Sequence, residues 1–345
     1  MKYKIEKNTV QETLIIPLYA RKVCSELYPN LYQDETAVRL INEIDYDFSD
    51  ADKNARSLMQ RFGSLEVAMR QNDLAFEVRD YLKTHPNAAV VNLGCGLDST
   101  GRSCDNGSCN IYNLDFPDVI AVRNELLPAG EREENIPCDL NNTEWFGKID
   151  ASNGAVFFAS GVFYYFLTEQ VKTLVQAMAD TFPNGVLVFD AANRTAVKMI
   201  AKTWLKSAKI KDVGAYFAVS DAPKEIGAWD SRLQVSSRGY MLGYNDLKGP
   251  SIGGFFRLLA KVGDGMMKMQ IVKIGFGGGK WRKAENVRRP CNEIHRYAHG
   301  DVGAVCRLIS KAADGGVRLR YEYGKSHHEK SKAEIQSNHC RSAGI

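Results

Sequence analysis

The sequence predicts a doubly wound α/β fold, with a mostly parallel seven-stranded sheet and a helical N-terminal lid. Three observations predict it. Short runs that are apolar almost throughout recur between residues 88 and 276, as expected of strands buried on both faces of a parallel sheet. They alternate with segments of helical periodicity. A long stretch of helical pattern, residues 9–84, precedes the first of them.

Within that stretch, SLMQRFGSLEVAMRQNDLAFEVRDYLKTH places Leu58, Phe62, Leu65, Met69, Leu74, Val78 and Tyr81 mostly three or four residues apart. Pro86 and Asn87 break the pattern. The expected strands are AAVVNL (88–93), IYNLD (111–115), a weaker NIPCDL (135–140), GAVFFASGVF (154–163) and GVLVFD (185–190). The intervening helices are expected over Val119–Leu127, Thr168–Phe182 and Thr195–Lys209. SSRGYMLGY (236–244) and MMKMQIVKIGF (266–276) supply a closing, partly antiparallel pair. The expected domains are a lid over 1–86, a sheet domain over 87–276 and a loosely ordered or non-native basic tail over 277–345.

Charge separates the tail from the body. Residues 277–345 carry 14 Lys and Arg against 7 Asp and Glu, whereas residues 1–276 carry 31 against 34. The body therefore offers no general electrostatic basis for binding nucleic acid, and only the tail could supply one. Of 345 residues, 44% are apolar and 25% charged, which suits a sizeable core and excludes wholesale disorder. No run of apolar residues is long enough to span a membrane. MKYKIEKNTVQETLIIPLYA lacks an apolar run ending in a small-residue cleavage site, so a cytoplasmic protein is expected. Eight cysteines form no CxxC pair, so reduced thiols are expected rather than a metal site.

The segment that carries chemistry is VVNLGCGLDSTG, residues 90–101. Gly94, Cys95 and Gly96 follow an apolar strand and precede a helix, at the carboxyl edge where doubly wound sheets bind ligands. Asp115 ends the next strand, where an acidic side chain can accept from both hydroxyls of a ribose. Asp139, with Leu140 beside it, ends the third strand within reach of an adenine. A dinucleotide would require a third glycine, at the position that Ser99 occupies. A nucleoside without a pyrophosphate makes no such demand, so S-adenosylmethionine fits better than NAD or NADP. An oxidoreductase and a non-catalytic nucleoside-binding protein remain the alternative readings.

These residues resemble the leucine carboxyl methyltransferase family, in its branch of small-molecule O-methyltransferases of the tetracenomycin type. The resemblance runs through VVNLGCGLDST, IYNLDFPDVIAVRNELLP, IPCDLNNTEWF, AVFFASGVFYYFLTEQVKTLV and GVLVFDAA, over roughly residues 10–276. It implies a class I methyltransferase fold, S-adenosylmethionine as cofactor and a small-molecule acceptor. It matches Gly94 and Gly96 to the cofactor loop, Asp115 to the ribose contact, and Asp139 and Leu140 to the adenine contacts. Arg70 matches the arginine that binds the cofactor's carboxylate, a task suited to a guanidinium fork. Arg21 in LYARK is a looser match, to lid closure. Ser160 in ASGVFYY stands where the family often has Glu, so one cofactor contact is expected to be weaker or remade.

A carboxylate acceptor needs no base, because it is ionised at neutral pH, whereas a phenol benefits from one. His85, the body's single histidine, precedes the first strand and reads as a turn residue. The candidate bases are therefore Tyr164, Tyr165 and Asp190. Either tyrosine could also place an aromatic face beside a sulfonium. Tyr19, Tyr28, Tyr32 and Phe48 could line an acceptor pocket under the lid.

Overall fold

The computed structural model describes residues 2–5, 10–200, 216–245, 247 and 252–277, together with three two-residue strands at 296–297, 312–313 and 316–317. Residues 1–298 form one compact unit and 299–345 a second. In the second unit, Ala312–Ala313 pairs antiparallel with Gly316–Val317. The expectations for the rest of the basic tail lie outside the described residues, as does the second half of the helix expected over 195–209. The described part of that helix is Arg194–Ile200.

The first unit is built on a seven-stranded sheet. Its strands are β1 (Ala89–Leu93), β2 (Asn110–Asp115), β3 (Glu133–Pro137), β4 (Ala155–Ala159), β5 (Val186–Ala191), β6 (Leu233–Gly239) and β7 (Gln270–Phe276). Their spatial order is β3-β2-β1-β4-β5-β7-β6. β7 runs antiparallel to both of its neighbours, and the other pairings are parallel. Every residue of β1, β4 and β5 is buried, which accounts for their continuous apolar character. β3 and β6, at the two edges, mix polar and apolar residues.

Alternate residues of a strand feed opposite faces. Val90, Val156, Phe158 and Val188 pack with Leu65, Met69 and Val78 on one face. Val91, Phe157 and Phe189 pack with Val171, Leu174 and Trp145 on the other. The helices that supply those partners, in chain order with the rest, are α1 (Val10–Leu27), α2 (Glu35–Glu43), α3 (Leu58–Leu82), α4 (Pro117–Leu126), α5 (Thr168–Thr181) and α6 (Gly254–Gly265). Ser57 caps α3 by accepting from the Gln60 amide at 3.3 Å. Pro117 opens α4, where its missing N–H costs nothing. A third apolar cluster joins α1, α2 and α4 through Leu18, Leu40, Leu97 and Val122. The N-terminal helices thus pack directly on the loop that follows β1.

Several elements differ from the sequence expectation: β4 ends at Ala159 instead of Phe163, and β7 starts at Gln270 instead of Met266. β3 ends at Pro137, so Cys138, Asp139 and Leu140 lie in the loop beyond it. The penultimate strand runs over 233–239 instead of 236–244, because the chain turns at Tyr240. α6 was not anticipated, although it buries Phe256, Ala260 and Gly263 on one face.

Candidate active site

The carboxyl ends of β1, β2 and β4 open into a cavity of about 490 Å³. Gly94, Cys95, Gly96, Asp115, Leu140, Ser160, Tyr164, Tyr165 and Arg70 all border it. Asp139 does not: its carboxylate is exposed and accepts from the backbone and side-chain nitrogens of Asn141, both at 2.9 Å. Asp190 is likewise not among the bordering residues, although it touches two groups that are. His85 stacks on Tyr81 with ring centroids 4.3 Å apart, on the Gly154 side of the sheet and not at the cavity.

The loop after β1 has a shape that a side chain would spoil. Gly94 has φ +65°, and a Cβ on it would lie 2.6 Å from Cγ2 of Val162. The Gly96 amide donates to Oδ2 of Asp115 at 2.7 Å, while the Phe116 amide donates to Oδ1 at 2.8 Å. Burial raises the Asp115 carboxyl above its ordinary pKa despite these bonds. Arg123 on α4, 1% exposed, donates through Nη1 to the carbonyls of Gly96 and Asp98 at 2.9 and 2.7 Å. Asp98 accepts from Nε2 of Gln71 at 2.6 Å and from the amide and hydroxyl of Thr100. Arg21 on α1 reaches the same loop, donating to the Leu97 carbonyl at 3.0 Å and pairing with Asp34 and Asp98. One polar network therefore fixes the loop from both sides.

A second glycine turn follows β4. Gly161 has φ +73°, and a Cβ there would lie 2.9 Å from Nη1 of Arg70. Its amide donates to Oδ1 of Asp190 at 2.6 Å, and Arg70 Nη1 pairs with Oδ2 of the same carboxylate at 3.2 Å. Asp190 is thereby occupied with positioning. Nε of Arg70 is buried with no hydrogen-bond partner among the described residues. Tyr164 is held protonated well above the ordinary tyrosine range by burial and by Asp190 beside it. Tyr165, 44% exposed, is raised as well by partial desolvation at the cavity wall. In both, the raised pKa favours the neutral phenol.

Sequence reasoning missed Gly161, Glu66, Tyr240 and Met269, all of which border the cavity. Gly161 carried a signal, since a glycine just past a buried strand repeats the pattern of Gly94. The other three carried none, because they come from a helix interior and from strand ends distant in sequence. Tyr19, Tyr28, Tyr32 and Phe48 do not border the cavity. They pack instead within the N-terminal helices, as in the stack of Tyr19 on Phe48 at 5.4 Å.

The strand order, the reversed seventh strand and the two glycine turns are those of the class I methyltransferase fold. A model of the family "Leucine carboxyl methyltransferase" matches residues 16–179. The chain is 29% identical over 186 residues to the tetracenomycin polyketide synthesis O-methyltransferase TcmP of Streptomyces glaucescens, covering 53% of this chain and 66% of TcmP. It is 26% identical over 258 residues to the S-adenosyl-L-methionine-dependent methyltransferase dpfgK of Gibberella zeae, covering 70% of this chain and 85% of that protein. In fold it is similar to a candidate methyltransferase of Thermobifida fusca, with a TM-score of 0.50, 15% identity, and coverage of 75% and 94%.

S-adenosylmethionine is the cofactor of this class, and the donor set fits it. The orphaned Nε of Arg70 suits a carboxylate, Asp115 retains lone pairs for hydroxyl groups, and the glycine turns leave room for close approach. No helix among the described residues is long and apolar enough to cross a membrane.

Proposed function

We propose that this chain transfers the methyl group of S-adenosylmethionine to an oxygen of a small molecule. The observation that carries the reading is the convergence of Arg70, Asp115 and both glycine turns on one cavity. Bound there, the cofactor supplies a methyl group already made electrophilic by a sulfonium. In this reading Arg70 binds its carboxylate and Asp115 accepts from its ribose hydroxyls. Leu140 and Cys138 flank the base, and Ser160 replaces the acidic contact common in the family. Leu14, Ile16 and Pro17 of α1 roof the cavity and keep water from the reacting centre. Asp139 would contact the adenine only after leaving Asn141. The acceptor is a small molecule because the cavity is roofed by the chain's own N-terminal helix. The five described cysteines are unpaired, which supports a reducing, cytoplasmic setting.

Calorimetry with S-adenosylhomocysteine tests the site. Micromolar or tighter binding is expected, with none for NAD or NADP. Asp115→Ala is expected to weaken binding by roughly 1–3 kcal/mol through lost hydrogen bonds, with Asp115→Asn losing less. Unchanged affinity in a folded Asp115→Ala protein contradicts the assignment.

A further inference from the structure

Glu66 is not among the residues assigned to the cofactor above, yet it borders the same cavity. It stands on α3 one turn before Arg70, on the same helix face. The hydroxyl of Tyr240, in the turn after β6, donates to its Oε1 at 3.0 Å. Its Oε2 has no hydrogen-bond partner among the described residues.

The other two carboxylates that border the cavity are committed. Asp98 accepts from Gln71 and Thr100, and Asp115 from two backbone amides. The two bordering cations are committed as well, Arg21 to Asp34 and Asp98, and Arg70 to Asp190 and, when bound, the cofactor. Among the described residues, the cavity thus holds one carboxylate oxygen with nothing to accept from, and no spare cation to offset an anionic acceptor. Val67 and Met269 supply apolar surface in the same cavity.

We propose that Glu66 is the proton acceptor for a ring hydroxyl, that the natural acceptor is a neutral phenol-like compound rather than a carboxylate, and that Tyr240 is a positioning residue for Glu66. The proposal rests on the methyl-transfer reading and deepens it. The acceptor's O–H bond breaks towards oxygen and its proton passes to Oε2 of Glu66. The acceptor oxygen, keeping the electron pair of its O–H bond, forms the new O–CH3 bond, while the S–CH3 bond breaks with its electron pair remaining on sulfur. A carboxylate acceptor would need no base and would meet a like charge at Glu66.

The surroundings suit the task. Burial pushes the Glu66 carboxyl up to about 7, while the Tyr240 hydrogen bond and the Arg70 charge pull it down and the charges of Asp190 and Asp264 add to the rise. Tyr164 also faces it and stays neutral. A base that titrates near the working pH transfers protons efficiently. Because the raised group is a carboxyl, the active, ionised form prevails above about 7 and is lost below it.

The full chain loaded with S-adenosylhomocysteine, titrated with 2-naphthol and 2-naphthoate, separates the two acceptor classes on one ring. At about pH 8 the naphthol is expected to bind roughly tenfold more tightly than the naphthoate. Glu66→Gln, which keeps the Tyr240 contact, is expected to shrink that preference to about threefold or less while leaving S-adenosylhomocysteine affinity within about twofold. With S-adenosylmethionine, naphthol methylation by the unmodified protein is expected to rise with pH through about 7. Glu66→Gln should lower kcat by about 10²-fold and abolish that limb, and Glu66→Asp should restore part of it. Equal or tighter binding of naphthoate, or an unchanged pH profile in Glu66→Gln, overturns the proposal alone. Failure of the unmodified protein to bind S-adenosylhomocysteine overturns the methyl-transfer reading and this proposal with it.

Discussion

Arg123→Met is expected to destabilise the protein by about 3–5 kcal/mol and to abolish measurable S-adenosylhomocysteine binding. The guanidinium is almost wholly buried and donates to the carbonyls of Gly96 and Asp98 and to Oδ1 of Asn135. Methionine fills much of the same volume but offers no donor. The two buried carbonyls would then lose this donor, whereas Oδ1 of Asn135 keeps the Asn113 side-chain amide at 3.1 Å, and each carbonyl left without a donor carries its desolvation penalty. The two carbonyls belong to the loop that faces the cavity, so the loss of stability and the loss of binding have one cause. Chemical denaturation measures the first and calorimetry the second. A variant with near-normal stability would show that the loop holds its shape without α4. Arg123→Lys restores charge but cannot reach two carbonyls and Asn135 together, so it is expected to recover only part of the loss.

Gly94→Ala is expected to weaken S-adenosylhomocysteine binding at least tenfold and to cost about 2–4 kcal/mol of stability. Two effects add. At φ +65° an L side chain costs about 1–2 kcal/mol, and the new methyl group would lie 2.6 and 2.9 Å from the two methyls of Val162. Those methyls sit on a short β-branched side chain that cannot swing away as a lysine end would. The double variant Gly94→Ala with Val162→Ala separates the terms. It is expected to regain the steric part and leave the backbone part. Equal loss in the single and double variants would show that Val162 is not the obstacle.

Much of the sheet was legible because its signal is local. β1, β2 and β5 are buried on both faces and bounded by turn residues, so their ends fall within a residue of expectation. β3 is an edge strand of mixed polarity, EENIP, and its pattern slid two residues towards the more apolar IPCDL. α6 was missed although its apolar face is clear, because glycines crowd both of its ends. At the site, Gly94, Gly96 and Asp115 were legible through their spacing from strand ends, which topology converts directly into position. Arg70, which borders the cavity, was singled out by resemblance alone, since one of three arginines in a 25-residue helix looks like any solvated charge.

Arg123 shows the limit from the other side. In PDVIAVRNEL it reads as a surface residue of a short helix, yet it is the buried clamp of the cofactor loop. Strand polarity, helix spacing and the glycine turns are properties of neighbouring residues, and the chain alone dictates them. The pairing of Glu66 with Tyr240, 174 residues apart, and of Arg70 with Asp190, 120 residues apart, arises only when β5, β6 and α3 are packed together. Hydrophobic burial is indifferent to direction and leaves a periodic trace in sequence. Hydrogen bonds demand a particular distance and angle, and those exist only between elements that the fold has already brought side by side.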